Sequence, residues 1–182
     1  MEPEIKKQGA MKAKSNEAQD LRGLFEVGLK DIYWAEKILS KTLPKMVKNA
    51  STPELVNTLK SHLAETEEQV SRLEQVFKAT GIKPDAKKCD AMEGLLKESE
   101  GIMQETKMGV VRDAGIIASG QKVKHYEIAS YGTLHAFAKT LGEDTAANLL
   151  ALNLDEVKKV DSALTGIAVS AINNKAATAS FR

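Results

Sequence analysis

Apolar residues recur at three- and four-residue steps along most of this chain, the period of an α-helix and not of a strand. Phe25, Leu29, Ile32, Leu39, Leu43 and Val47 form one such stripe and predict a helix from about Asn16 to Lys48, with Pro44 expected to bend its last turns. The stretch NASTPE breaks it. Thr52 suits an N-cap, Pro53 the first helical position and Glu54 the positive end of the helix dipole. A second helix should run from Pro53 to about Thr80 and stop at Gly81. A shorter helix is expected from about Ala91 to Thr106, capped by Asp90. A third long one follows from Val110 to Leu141, closed by Gly142. A fourth, capped by Asp144, should reach about Asn173.

The connections select the topology. The first and second long helices are joined tightly, as are the third and fourth, so each pair should be an antiparallel hairpin. A long segment with its own short helix separates the pairs. Two hairpins joined by one crossover define a ferritin-like four-helix bundle, so the expected fold class is all-α. The expected organisation is a polar tail over 1–15, the bundle over 16–174 and a second tail over 175–182.

Composition narrows the function classes. Four prolines and 4% aromatics argue against a β-sandwich or barrel. A formal net charge of +1 gives no excess for nucleic acid or an anionic membrane. The single cysteine, Cys89, rules out an internal disulfide. No apolar run is long enough to span a bilayer, and the first residues lack the apolar centre of a signal peptide. These features point to the cytoplasm. The N-terminal lysines are diluted by glutamates, which argues against a nucleic-acid arm.

Ferritin-like bundles hold metals on inward-facing carboxylates, some in Glu-x-x-His pairs. At about 100° of rotation per residue, Glu36 falls in the middle of its apolar stripe. Glu127 shares a face with Ile116, Gly120, Val123, Tyr131 and Leu134. A carboxylate there is costly unless paired, protonated or metal-bound. Tyr131, one turn on, could hydrogen-bond to Glu127. His125 lies nearly opposite Glu127 and should pack on the short helix or on a partner. His135 is off the stripe. In the second helix, His62, Thr66 and Gln69 lie on or beside the inner face and Glu65 at its flank, in the order His-x-x-Glu. The inner face of the last helix centres on Asn153, Val157, Val160 and Leu164, with Glu156 and Asp161 at opposite flanks.

The stretches DIYWAEK, HLAETEEQVSRLEQVF, KKCDAMEGLLKE, VRDAGIIASGQKVKHYEIASYGTL and LDEVKKVD resemble the YciF/YciE-type ferritin-like stress proteins, from Leu24 to Leu164. The resemblance implies a ferritin-like bundle linked to bacterial stress responses, with a di-metal site. On it, Glu36, His62, Glu65, Glu127 and Asp161 match the family's polar pattern. Three positions depart: Ala64, Lys124 and Val157 stand where the family usually has Glu. Lys124, one turn before Glu127, could pair with that carboxylate and stand in for a metal's charge.

The expectation is therefore a homo-oligomeric stress protein with a partly degenerate carboxylate site for zero or one ion. Iron or manganese suits oxygen-rich ligation with some imidazole. If redox-active, the protein would consume peroxide or oxidise ferrous iron. The alternative is a non-enzymatic structural or protein-interaction bundle that has lost metal binding.

Overall fold

The computed structural model describes residues 18–179, and the expected tail over 1–15 lies outside them. The elements are α1 (Leu21–Asn49), α2 (Pro53–Thr80), α3 (Asp90–Glu105), α4 (Val110–Thr140), α5 (Asp144–Ile167), a π-helical segment (Ala168–Ile172) and α6 (Asn173–Thr178). No strand occurs among the described residues.

In the bundle, α1 packs on α2 and α4, while α5 packs on α2 and α4. The two hairpins thus sit side by side, and α3 crosses between them against α1 and α4. This is the ferritin-like four-helix bundle, with the helix-bearing crossover that its two tight hairpins require. The core joins Phe25, Leu29, Ile32 and Leu39 of α1 with Leu55, Leu59 and Leu73 of α2. From the other hairpin it takes Ile116 and Val123 of α4 and Leu150, Val157 and Leu164 of α5.

Local signals explain most boundaries. Asp20 caps α1 by accepting from the Gly23 N–H at 2.7 Å. The helix then continues through Pro44 to Asn49. Pro53 opens α2, and Gly81 closes it at φ +68°, a left-handed conformation that favours glycine. Three expectations need correction. Cys89, and not Asp90, caps α3, its Sγ accepting from the Met92 N–H at 3.3 Å. Asp144 is already helical and pairs with Lys139 at 2.8 Å. The helical path after α5 widens into a π-helix and runs to Thr178, so the described residues past 174 are largely helical.

The corner between α1 and α2 is held from a distance. Asp113, in the first turn of α4, is fully buried. Its carboxylate accepts from the Ser51 N–H, the Ser51 hydroxyl and the Thr52 N–H, each at 2.8 Å, and from the Thr52 hydroxyl at 2.5 Å. Thr52 therefore occupies the cap position without capping α2 itself.

Candidate functional site: a buried lysine-carboxylate centre

Lys124, Glu127 and Tyr131 line up along one face of α4 at three- and four-residue spacing and are all buried. The Lys124 ammonium pairs with Glu127 Oε2, an ion pair with both side chains almost wholly out of solvent. Lys124 Nζ also lies 2.5 Å from His62 Nε2 of α2. A lysine has no acceptor, so the ammonium donates and the imidazole accepts, which puts the ring proton on Nδ1.

Glu36 enters from α1 with no solvent exposure. Tyr131 donates its hydroxyl proton to Glu36 Oε1 at 2.8 Å. The expectation that Tyr131 bonds Glu127 is therefore corrected: the phenol reaches across to α1. Asn153 of α5 extends the chain, its Nδ2 donating to the Tyr131 oxygen at 3.2 Å and to the Gln69 carbonyl at 3.3 Å. Arg72 donates to Asn153 Oδ1 at 2.8 Å and to Glu156 at 2.6 Å, and Gln69 donates to Glu156 at 3.1 Å. One polar thread thus crosses the bundle from the buried Glu36 to the half-buried Arg72–Glu156 ion pair.

Burial sets the protonation pattern. It pushes the Glu36 carboxyl well above its ordinary range, and the Glu127 charge beside it pushes further. Burial, and then the Lys124 charge, hold His62 well below its ordinary range. The Lys124–Glu127 ion pair thus sits beside an acid and an imidazole that burial drives toward their neutral forms. Glu36 Oε2, Glu127 Oε1, Thr66 Oγ1 and Gln69 Oε1 are buried without a hydrogen-bond partner.

The other candidate residues sit elsewhere. Glu65 is partly exposed on a surface groove between α2 and α5, lined also by Thr58, Ser61, His62, Lys159 and Ala163. Burial and then the Glu156 charge raise its carboxyl. Asp161 faces His125 at 3.5 Å, so His125 meets α5, where contact with the short helix or with a partner was expected. His135 lies 3.0 Å from the Ala147 carbonyl. Of the five residues, Glu36, His62 and Glu127 lie near Lys124, whereas Glu65 lines the surface groove and Asp161 faces His125. Val157 is wholly buried.

A metal must be fitted to this donor set. The orphaned oxygens of Glu36 and Glu127 are suitable ligands. Against them, the ammonium contacts both Glu127 and His62 Nε2, and a cation would compete with it for the same lone pairs. Among the described residues, no three His, Cys, Asp or Glu side chains are grouped to hold an ion. The residues do not fit a di-metal site.

A ferritin-like bundle whose centre holds a lysine-carboxylate pair is the class that fold and site define. The domain family of unknown function DUF892 matches residues 20–177, and the chain belongs to it. It is similar to Protein YciF of Escherichia coli K12, at 44% identity over 149 residues, 81% of this chain and 90% of that protein. The crystal structure of the E. coli stress protein YciF superposes with a TM-score of 0.83 at 41% identity, covering 86% of this chain and 99% of that one. YcfI of Rhodopseudomonas palustris, to which a structural role has been ascribed, gives 0.79 at 43% identity over 84% and 98%. A Xanthomonas campestris protein at 18% identity, with a TM-score of 0.60 over 86% of this chain and 99% of that one, shares the fold.

Glu36→Gln is expected to leave stability at neutral pH equal or raised. The unfolded carboxyl loses its proton near the ordinary value of 4.5, while the folded one keeps it. The folded state then binds more protons, so this contribution is full below about 4.5 and declines as pH rises. His62 acts in the opposite sense: the unfolded ring takes a proton below about 6.5 and the folded ring does not, so its contribution is lost as pH falls. Urea unfolding across pH should show a shallower alkaline-side decline in Glu36→Gln than in the native chain. An unchanged slope refutes the assignment.

Proposed function

We propose that this chain is a stress-linked ferritin-like bundle whose centre is closed by an internal cation, and that it acts as a structural or protein-interaction module and not as a metal oxidase. One observation carries the reading: the Lys124 ammonium lies between Glu127 and His62, the residues a metal would need. The description of the Rhodopseudomonas relative as structural is consistent with it. Cytoplasmic action as a homo-oligomer is part of the proposal. The exposed apolar side chains of Leu24, Met108, Val111 and Leu152 offer contact surface for it. Light scattering of the purified chain tests the oligomer, and a monomer at all concentrations refutes it.

The orphaned oxygens Glu36 Oε2 and Glu127 Oε1 favour a second reading. Glu36, His62 and Glu127, aided by Glu65 or Asp161, would hold at most one iron or manganese ion, weakly and in competition with Lys124. Elemental analysis separates the two. The native protein should carry less than one ion per chain after incubation with ferrous iron or manganese. Lys124→Glu with Val157→Glu should raise occupancy, because it removes the competing cation and adds two acceptors. Two tightly held ions in the native chain would overturn the closed-centre reading.

A further inference from the structure

The link from α3 into α4 carries chemistry remote from the buried centre. Thr106 ends α3, and Gly109 opens α4 at φ +135°, a conformation that favours glycine. Between them Met108 is 57% exposed, whereas Met46, Met92 and Met103 are buried. Its sulfur also has a protein partner. Arg112, one turn further on, donates from Nη1 to Met108 Sδ at 3.7 Å. The same guanidinium holds the ends of two other helices. Nη1 also donates to Asn49 Oδ1 at 2.9 Å, at the last residue of α1. Nε donates to the Thr106 carbonyl at 3.1 Å, and Nη2 donates to the same oxygen. Of these acceptors the thioether is the weak one, because sulfur accepts poorly. An oxygen placed on that sulfur becomes a strong acceptor beside a cation.

We propose that Met108 is an oxidation site for hydroperoxides, and that its sulfoxide locks onto Arg112 and fastens the α3–α4 link to the end of α1. A sulfur lone pair attacks the terminal oxygen of the hydroperoxide. The S–O bond forms as the O–O bond breaks, and the departing oxygen takes the proton of the transferred hydroxyl and leaves as water or an alcohol. The thioether is oxidised to the sulfoxide and the hydroperoxide is reduced by the same electron pair. The new oxygen projects from a sulfur already 3.7 Å from Nη1, so it takes the N–H that the thioether held, at ordinary hydrogen-bond length. Buried methionines lose apolar packing when they are oxidised, but Met108 lies at the surface and its oxygen disturbs no core contact. Sulfoxide reductases reverse this step, so the lock is reversible.

The test treats the full-length chain with dilute hydrogen peroxide and follows each methionine by peptide mass. Met108 should gain one oxygen about tenfold faster than Met46, Met92 or Met103, because susceptibility follows exposure. The Asp113 N–H bonds the Gly109 carbonyl at 3.0 Å in the first turn of α4. Its hydrogen exchange should slow about fivefold in the oxidised chain, since a charge-assisted bond replaces a weak one. Arg112→Gln, which removes the cation, should still oxidise at Met108 and show no slowing. Met108→Leu, treated alike, should show none either. Oxidation of Met108 no faster than that of the buried methionines overturns the proposal. Unslowed exchange in the oxidised native chain overturns the lock, as does slowing that survives in Met108→Leu or Arg112→Gln. Metal content and self-association are separate measurements, so the proposed function stands or falls independently of this result.

Discussion

Lys124→Met should lower the unfolding free energy by about 3–5 kcal/mol, the usual cost of removing one member of a buried ion pair. The loss comes from what stays behind. Glu127 would keep a buried carboxyl group with no cation, next to a second buried carboxyl group on Glu36. Changing both partners should behave differently. Lys124→Met combined with Glu127→Met replaces the pair by apolar side chains and should recover most of the loss, or exceed native stability. Chemical unfolding of the native chain, both single variants and the double variant gives the coupling directly. A double variant as unstable as the sum of the singles would show that the pair is not the unit acting here.

The second large effect is expected at a residue far from the centre. Asp113→Ala should cost about 3 kcal/mol, because two backbone N–H groups and two hydroxyls at the α1–α2 corner lose their shared acceptor. Asp113→Asn, which keeps one acceptor oxygen, should cost less. The damage should be local first: amide exchange at Ser51 and Thr52 should quicken more than at the core of α5. Equal exchange at both places, with unchanged stability, would remove Asp113 from this role.

These two residues mark what a reading of the chain can reach. The limits of α2 are written in adjacent residues, Pro53 at one end and Gly81 at the other, and both were legible. So were the buried positions of Glu36 and Glu127, because helical rotation alone puts them on apolar stripes. The pairing of Lys124 with Glu127 was legible too, since both lie one turn apart on one helix. Partners on different helices were not. Asp113 reads as an ordinary acidic residue in a helix's first turn, and only the fold brings it to Ser51, 62 residues earlier. Arg72 reads as a solvent-facing charge, and nothing local signals that it meets Asn153 and Glu156. The Cys89 cap escaped because Asp90 is the better capping residue by chemistry, while the backbone places the thiol one position earlier.

The hydrogen bonds from Glu36 to Tyr131 to Asn153 to the Gln69 carbonyl touch α1, α4, α5 and α2 in turn. Leucine stripes alone are permissive: a helix that slides by one turn, about 5.4 Å, presents a nearly equivalent apolar face. Directional bonds do not repeat in that way, because each has one donor, one acceptor and a narrow range of lengths. The thread therefore indexes the four helices against one another, as a key fits one notch. Misaligned assemblies would leave an acid, a phenol and an amide buried and unbonded at once, and so fall out of competition with the native alignment.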